Sequence, residues 1–277
     1  MTDFEYDGKR LSDIGFVVAN ITTDGSTETV SIGSTLTWNT VKNNCSSINK
    51  ITSTQYDEAY FTTFEICKDP CSYDNHYINE EELRYIMRWL NRKEYHKFVP
   101  LQPDYTYSEI HYYGSFNLEA IKLSGEIIGL SLTFYTNAPF GFYETFEFEY
   151  DITQAMIDSK NNTFTLIDDS DEIGRLYLNV EVTTQGFTGT KDLVIRNSLT
   201  GLSTEIKGCS NGETITMDGD NKIIQTSNAA HTRLCNDFNY TWLSIMNTSD
   251  TKENVYTVTS PCHIKLSYDP IRKIGVI

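Results

Sequence analysis

The apolar positions of this chain change their spacing along its length. One stretch follows the helical period. Leu83, Ile86, Met87 and Leu90 recur at i, i+3, i+4 and i+7, which places them on one face of a helix. Asn79 stands where an N-cap is wanted, Glu80, Glu81 and Glu82 fill the first turn, and Arg88, Arg92 and Lys93 crowd the far end. The pattern predicts a helix over 79–92, with Trp89 and Tyr85 widening its buried face. A weaker helical turn is predicted within Asp151–Lys160, where Ile152, Ala155 and Met156 can share a face.

Nearly everything else reads as strand. Thr, Val, Ile, Tyr and Phe are frequent and are punctuated at short intervals by Asn, Gly, Asp and Ser. Strands are expected, among others, at Phe16–Ile21, Leu36–Val41, Ala59–Cys67, Lys97–Leu101, His111–Leu118, Ile127–Tyr135, Phe142–Tyr150, Tyr177–Thr183, Val255–Thr259 and His263–Tyr268. Asp218-Gly219 between Thr216 and Ile223 signals a hairpin, since Asp-Gly accepts the positive φ of a tight primed turn. Asn137-Ala138-Pro139-Phe140-Gly141 interrupts the strand pattern. The fold class expected is therefore mainly β. An N-terminal β domain with one amphipathic helix, 1–143, would be followed by an almost purely β domain, 144–277, with turns spaced as in a sandwich.

Composition narrows the function. The chain has 277 residues and a net charge of −16, with 22 Lys+Arg against 38 Asp+Glu. Residues 1–145 hold 11 basic and 20 acidic side chains, and 146–277 hold 11 and 18, so no basic domain hides behind the average. This balance speaks against sequence-specific nucleic-acid binding, which needs Lys and Arg to displace counterions. The densest basic group, Arg88, Arg92, Lys93 and Lys97, suits the end of the predicted helix. No window approaches ~18 consecutive apolar residues, so no membrane span is expected. The acidic start, MTDFEYDGKRLSDIGF, does not read as a secretory signal. Six cysteines in this length are not a disulfide scaffold, and inert thiols in a reducing cytosol are expected.

Candidate chemistry is sparse. The nucleotide-binding, zinc-protease and hydrolase motifs GxxxxGK[ST], GxGxxG, HExxH and GxSxG are missing. Cys67-x-x-x-Cys71 with His76 suggests zinc, but no fourth ligand follows, and a turn built on Asp69-Pro70 accounts for the segment more simply. Glu147 and Glu149 could act as a glycosidase pair, yet alternation along a strand fits one solvated face better. Asp168–Gly174 resembles a calcium loop only in part, because Ile173 stands where an oxygen ligand belongs; solvated acids are the better reading. No catalytic, cofactor-binding or metal-binding residue is nominated. The aromatic groups Tyr105, Tyr107, Tyr112, Tyr113 and Phe140, Phe142, Tyr143, Phe146, Phe148, Tyr150 fit a core or a subunit interface. Trp242 is the one candidate stacking platform for a sugar, a role that would need it exposed. Five N-x-[ST] sequons, at Asn20, Asn44, Asn161, Asn239 and Asn247, are treated as chance matches.

The order of short motifs resembles the distal tail protein (Dit) family of long-tailed siphophages. Phe4-x-Tyr6-x-Gly8 and Asp13-x-Gly15 look like that family's opening strand and turn. Arg88-Trp89-Leu90, Tyr112-Tyr113-Gly114, Leu132-Thr133-Phe134 and Asn137–Gly141 follow in order. In the second half come Ile195-x-Asn197, Gly212-Glu213-x-Ile215, Asp237-Phe238-Asn239, Trp242 and Tyr268-Asp269-Pro270-x-Arg272-x-x-Gly275. The polar stretch Thr22–Ser34 departs from the pattern. The resemblance implies a galectin-like C-terminal sandwich and a structural, non-enzymatic role without cofactors. It implies a homo-hexameric ring at the tail tip, joining the tail tube protein to tail-tip, baseplate or receptor-binding proteins. DNA would pass through the lumen without being read, and no membrane would be engaged. The location implied is the virion, after assembly in the host cytoplasm. The alternative is a carbohydrate-binding sandwich module of a phage adhesion device.

Overall fold

A computed structural model describes residues 1–21, 36–42, 48–56, 61–101 and 109–273. The stretch Thr22–Ser34, Asn44, Cys45, Tyr105, Tyr107 and Gly275 lie outside the described residues. The chain divides into two compact units, with Tyr143 ending the first and Glu144 opening the second; Arg272 groups with the first.

The N-terminal unit contains β1 (Asp3–Tyr6), β2 (Lys9–Arg10), β3 (Phe16–Ala19), β4 (Leu36–Lys42), β5 (Asn49–Tyr56), β6 (Phe61–Lys68), α1 (Glu80–Leu90), β7 (His96–Leu101), β8 (Tyr112–Leu123), β9 (Glu126–Thr136) and β10 (Gly141–Phe142). Seven of these strands form one antiparallel sheet in the order β2-β1-β7-β8-β9-β6-β3. Its two outermost strands are joined by Leu11–Gly15 alone, part of which is a 3-10 turn. A flat sheet of this width would hold its edges about 29 Å apart, at ~4.8 Å per strand. Six residue steps reach at most about 21 Å. The sheet must therefore curl, and Phe4 of β1 meets Phe64 of β6 at 5.5 Å between ring centroids although three strands separate them.

The concave side fills with rings. Phe98 lies 4.5 Å from Phe134, Phe116 lies 4.7 Å from Phe134, and Tyr6 lies edge-on to Phe116 at 5.1 Å. Offset and edge-on pairs of this kind add to their area burial. Gly114 is required here: a Cβ at that position would run into the Phe134 ring and the Tyr135 carbonyl.

Helix α1 closes the core. Asn79 and Glu82 form a reciprocal capping box, each side chain accepting from the other's backbone N–H at 2.9 Å. The buried face is Ile86, Trp89 and Leu90, whereas Met87 is 45% exposed and Tyr85 is 46% exposed. The stripe read from spacing is thus rotated, and Met87 and Tyr85 lie outside the core. Trp89 decides the rotation. Its indole stacks on Phe4 at 5.9 Å and donates from Nε1 to the Tyr6 carbonyl at 3.0 Å. Burying the larger ring with its N–H satisfied outweighs burying a methionine. Tyr85 instead lies under the Lys9 ammonium at 4.3 Å.

The C-terminal unit contains β11 (Phe146–Ile152), α2 (Gln154–Asp158), β12 (Thr163–Ile167), β13 (Gly174–Tyr177), β14 (Asn179–Thr184), β15 (Lys191–Asn197), β16 (Ser203–Cys209), β17 (Thr214–Asp218), β18 (Ile223–Thr226), α3 (Leu234–Asp237), β19 (Ser244–Asn247), β20 (Glu253–Val258) and β21 (Cys262–Tyr268); the last described strand is β22 (Ile271–Arg272). A five-stranded sheet, β11-β21-β14-β17-β18, and a four-stranded sheet, β12-β20-β15-β16, share one core. Alternate residues face inward, as in Cys262, Ile264, Leu266 and Tyr268 of β21 and Phe164 and Leu166 of β12. Tyr256 stacks on Phe164 at 4.9 Å, and its hydroxyl donates to the Ser244 carbonyl at 2.9 Å.

Buried amides tie the β19 region to this core. Asn197 donates to the Ser244 carbonyl at 3.0 Å and to the Asn254 side-chain oxygen at 2.9 Å. Asn254 donates in turn to Met246 and Lys252 carbonyls, and Asn247 donates to those of Ser170 and Glu172.

Three local expectations need correcting. The strand expected from Phe142 begins at Phe146, because Phe142 exchanges backbone hydrogen bonds with His111 instead. At the Asp218-Gly219 turn, the left-handed residue is Lys222, φ 58°, while Asp218 accepts from the backbone N–H groups of Asp220 and Asn221. Asp168 is not a solvated acid. It is 1% exposed, and its Oδ1 accepts from the N–H and hydroxyl of Ser170.

Removing the Trp89 ring leaves a cavity beneath α1 and takes away the indole donor to the Tyr6 carbonyl. Trp89→Ala is expected to destabilise the N-terminal unit by ~3–5 kcal/mol in denaturant unfolding. A loss below ~1 kcal/mol would show the helix face to be misassigned.

Candidate interaction surfaces

Strands β3 and β6 pair antiparallel, with Ala19 opposite Glu65. Of the chain between them, the described strands β4 and β5 pair only with each other. β4 and β5 form a separate two-stranded ribbon. In the register, Leu36 faces Tyr56, Trp38 faces Thr54 and Thr40 faces Ile51, so these six side chains share one face. The other face carries Thr37, Gln55, Asn39, Ser53, Val41 and Lys50. The apolar face is open: Trp38 is 57% exposed and Ile51 is 61% exposed. At the base Tyr56 meets Phe140 edge-on at 6.2 Å. β5 is absent from the strands expected above because NKITSTQY has no buried side and hence no alternation to reveal it.

A second constellation, missed in the sequence, pins the segment after β18. The Glu213 side chain is fully buried and accepts from the Ser210 N–H at 2.8 Å, the Thr226 hydroxyl at 2.6 Å and His231 Nδ1 at 2.6 Å. His231 Nε2 lies 3.4 Å from Asp237 Oδ2 at the end of α3. Burial pushes the Glu213 carboxyl up, but these hydrogen bonds and the His231 charge outweigh it and hold the group below its ordinary 4.5. Neighbours 18 and 6 residues away in the chain leave no local motif to find.

The residues weighed for chemistry fall into ordinary surroundings. Asp69 builds the turn after β6, accepting from the Cys71 N–H at 2.9 Å and from the Ser72 hydroxyl. Cys67 is half-buried and Cys71 exposed. No group of three His, Cys, Asp or Glu that could hold a metal occurs among the described residues. Glu147 and Glu149 point outward from β11, and Glu149 pairs with Lys265 at 3.2 Å. Trp242 is half-buried against the sandwich core, with Phe238 edge-on at 5.1 Å.

These two mainly β units match two family models in succession. Residues 1–138 match a phage tail protein N-terminal domain and residues 140–268 a phage tail C-terminal domain. The chain belongs to this family of phage tail proteins. Its fold is that of the SPP1 Dit protein, whose crystal structure is described as a paradigm of the hub adsorption apparatus in phages infecting Gram-positive hosts. That match has a TM-score of 0.61 at 14% identity and covers 97% of this chain and 99% of the other. A chain of the phage P2 baseplate, in its activated conformation with Ca, is more remote, with TM-score 0.42, 8% identity and coverage of 96% and 98%. Comparison of the sequence with curated proteins finds no match. The family places the chain among the structural proteins of the phage tail.

Because the folded state lowers the Glu213 pKa, its contribution to stability is present above the ordinary carboxyl range and is lost as pH falls through the folded value. Glu213→Gln is expected to destabilise the C-terminal unit by about 1–3 kcal/mol at neutral pH. The gap between variant and wild type should narrow as pH falls below the ordinary 4.5 in unfolding titrations. A gap independent of pH would show that the charge is not what binds this segment.

Proposed function

We propose that this protein is a distal tail hub component that closes into a homo-hexameric ring. In this reading the ring joins the tail tube protein to the tail-tip, baseplate or receptor-binding proteins, assembles in the host cytoplasm and ends in the virion tail tip. The N-terminal unit makes the ring and the C-terminal sandwich carries docking surfaces outward. The observation that carries it is the β4–β5 ribbon. A two-stranded hairpin is marginal in water unless something packs on it, and this one presents Trp38 and Ile51 to the outside. A neighbouring copy supplies the missing contact, and one patch repeated by rotation closes a ring. The net charge of −16, multiplied by the copies, keeps a lumen from adhering to passing DNA.

The native mass tests this. A particle of about 190 kDa, six times 31.7 kDa, is expected. Trp38→Ser combined with Ile51→Ser should return it to single chains with an unchanged unfolding midpoint, because both side chains are solvent-facing in the subunit. A wild-type chain that stays at 31.7 kDa with and without purified tail tube would reject the ring.

A further inference from the structure

The outer face of the sandwich's five-stranded sheet divides into two kinds of polar surface. At one end the side chains satisfy each other. In the register row Asp151–His263–Thr183–Thr214, Asp151 meets His263 Nδ1 at 2.7 Å and the two threonine hydroxyls meet at 2.9 Å. The next two rows do not close in this way. Glu149, Lys265, Glu181, Thr216 and Gln225 stand side by side across all five strands. Beside them lie Glu147, Ser267 and Asn179, with Asp218 facing Ile223.

These two rows line a groove of about 590 Å³. Lys265 is spent on Glu149 at 3.2 Å, Asn179 on the Gly219 N–H, and Asp218 on its own turn. Among the described residues, the side chains of Glu147, Glu181, Thr216, Gln225 and Ser267 have no hydrogen-bond or ion-pair partner within the chain. Four carboxylates face one ammonium, so the groove is strongly negative. Its acids also have a spacing. Its two unpaired acids, Glu147 and Glu181, lie two strands and one register row apart, roughly 12 Å.

We propose that this groove docks an extended basic segment of a neighbouring tail protein, one with Lys or Arg four positions apart. Ammonium or guanidinium groups pair with Glu147 and Glu181, and the hydroxyl and amide side chains of Thr216, Gln225 and Ser267 bond the segment's backbone. Charge complementarity of this kind steers encounter and fixes register. The hub reading enters only in naming a tail protein as the source of the segment.

The test uses the full-length chain and a fluorescent peptide, acetyl-(Lys-Thr)4-amide, in anisotropy titrations at physiological ionic strength. Wild type is expected to bind, and Glu147→Gln with Glu181→Gln to weaken binding about tenfold. Glu119→Gln with Glu126→Gln removes the same charge from exposed positions of the N-terminal unit and should change it by less than about twofold. Equal weakening by both pairs would reduce the effect to net charge and overturn the proposal. So would wild type that ignores the peptide, or that binds neutral oligosaccharides through Glu181 instead. Particle mass read on the same samples separates the two readings. A ring that does not bind the peptide ends this inference alone, and a peptide-binding single chain ends the ring alone.

Discussion

One short link governs the first half of the molecule. Leu11–Gly15 must join the two edges of a seven-stranded sheet, and it is too short to do so unless the sheet curls. Curling turns one face inward and brings Phe4, Phe64, Phe98, Phe116 and Phe134 into mutual contact. The same curl leaves an opening that α1 fills, with Trp89 as the plug. It also settles where extra chain can go. β3 and β6 are already neighbours, so the described strands β4 and β5, which lie between them in the chain, pair with each other and join no strand of this sheet.

The sandwich follows a different logic. Its inner polar groups are satisfied almost completely by the chain itself: Asn197, Asn247 and Asn254 bond backbone carbonyls, and Glu213 takes three donors. Such networks make a single arrangement much more favourable than its rivals, because a partly satisfied buried group is costly. A rigid sheet then holds its outward side chains at fixed spacing, which is what a docking surface requires.

How much of this was legible in the sequence depends on whether a residue's partner was nearby in the chain. Asn79 and Glu82 announce the start of α1 because the capping box is local. The stripe of Leu83, Ile86 and Leu90 and the burial of Trp89 were readable from the sequence, but the exposure of Tyr85 and Met87 was not, since the indole's hydrogen-bond acceptor belongs to Tyr6, 83 residues away. Half-buried strands such as β9 and β21 show their alternation. β5, with no buried side, shows none, and with it went the ribbon on which the ring proposal rests. The groove's residues come from five strands between Glu147 and Ser267, and only their register makes them neighbours.

The ribbon contains one irregularity. Its register shifts between Asn39 and Thr40, where β5 has an additional residue. Such an insertion bends and over-twists a pair of strands. Flat, regular edges are those on which foreign strands stack into fibrils. A warped ribbon that mixes Asn39, Ser53 and Lys50 with its tryptophan is a poor template for that stacking. The bend thus leaves the ribbon's apolar face open to a shaped partner while making its edge a poor seed for strand-on-strand stacking.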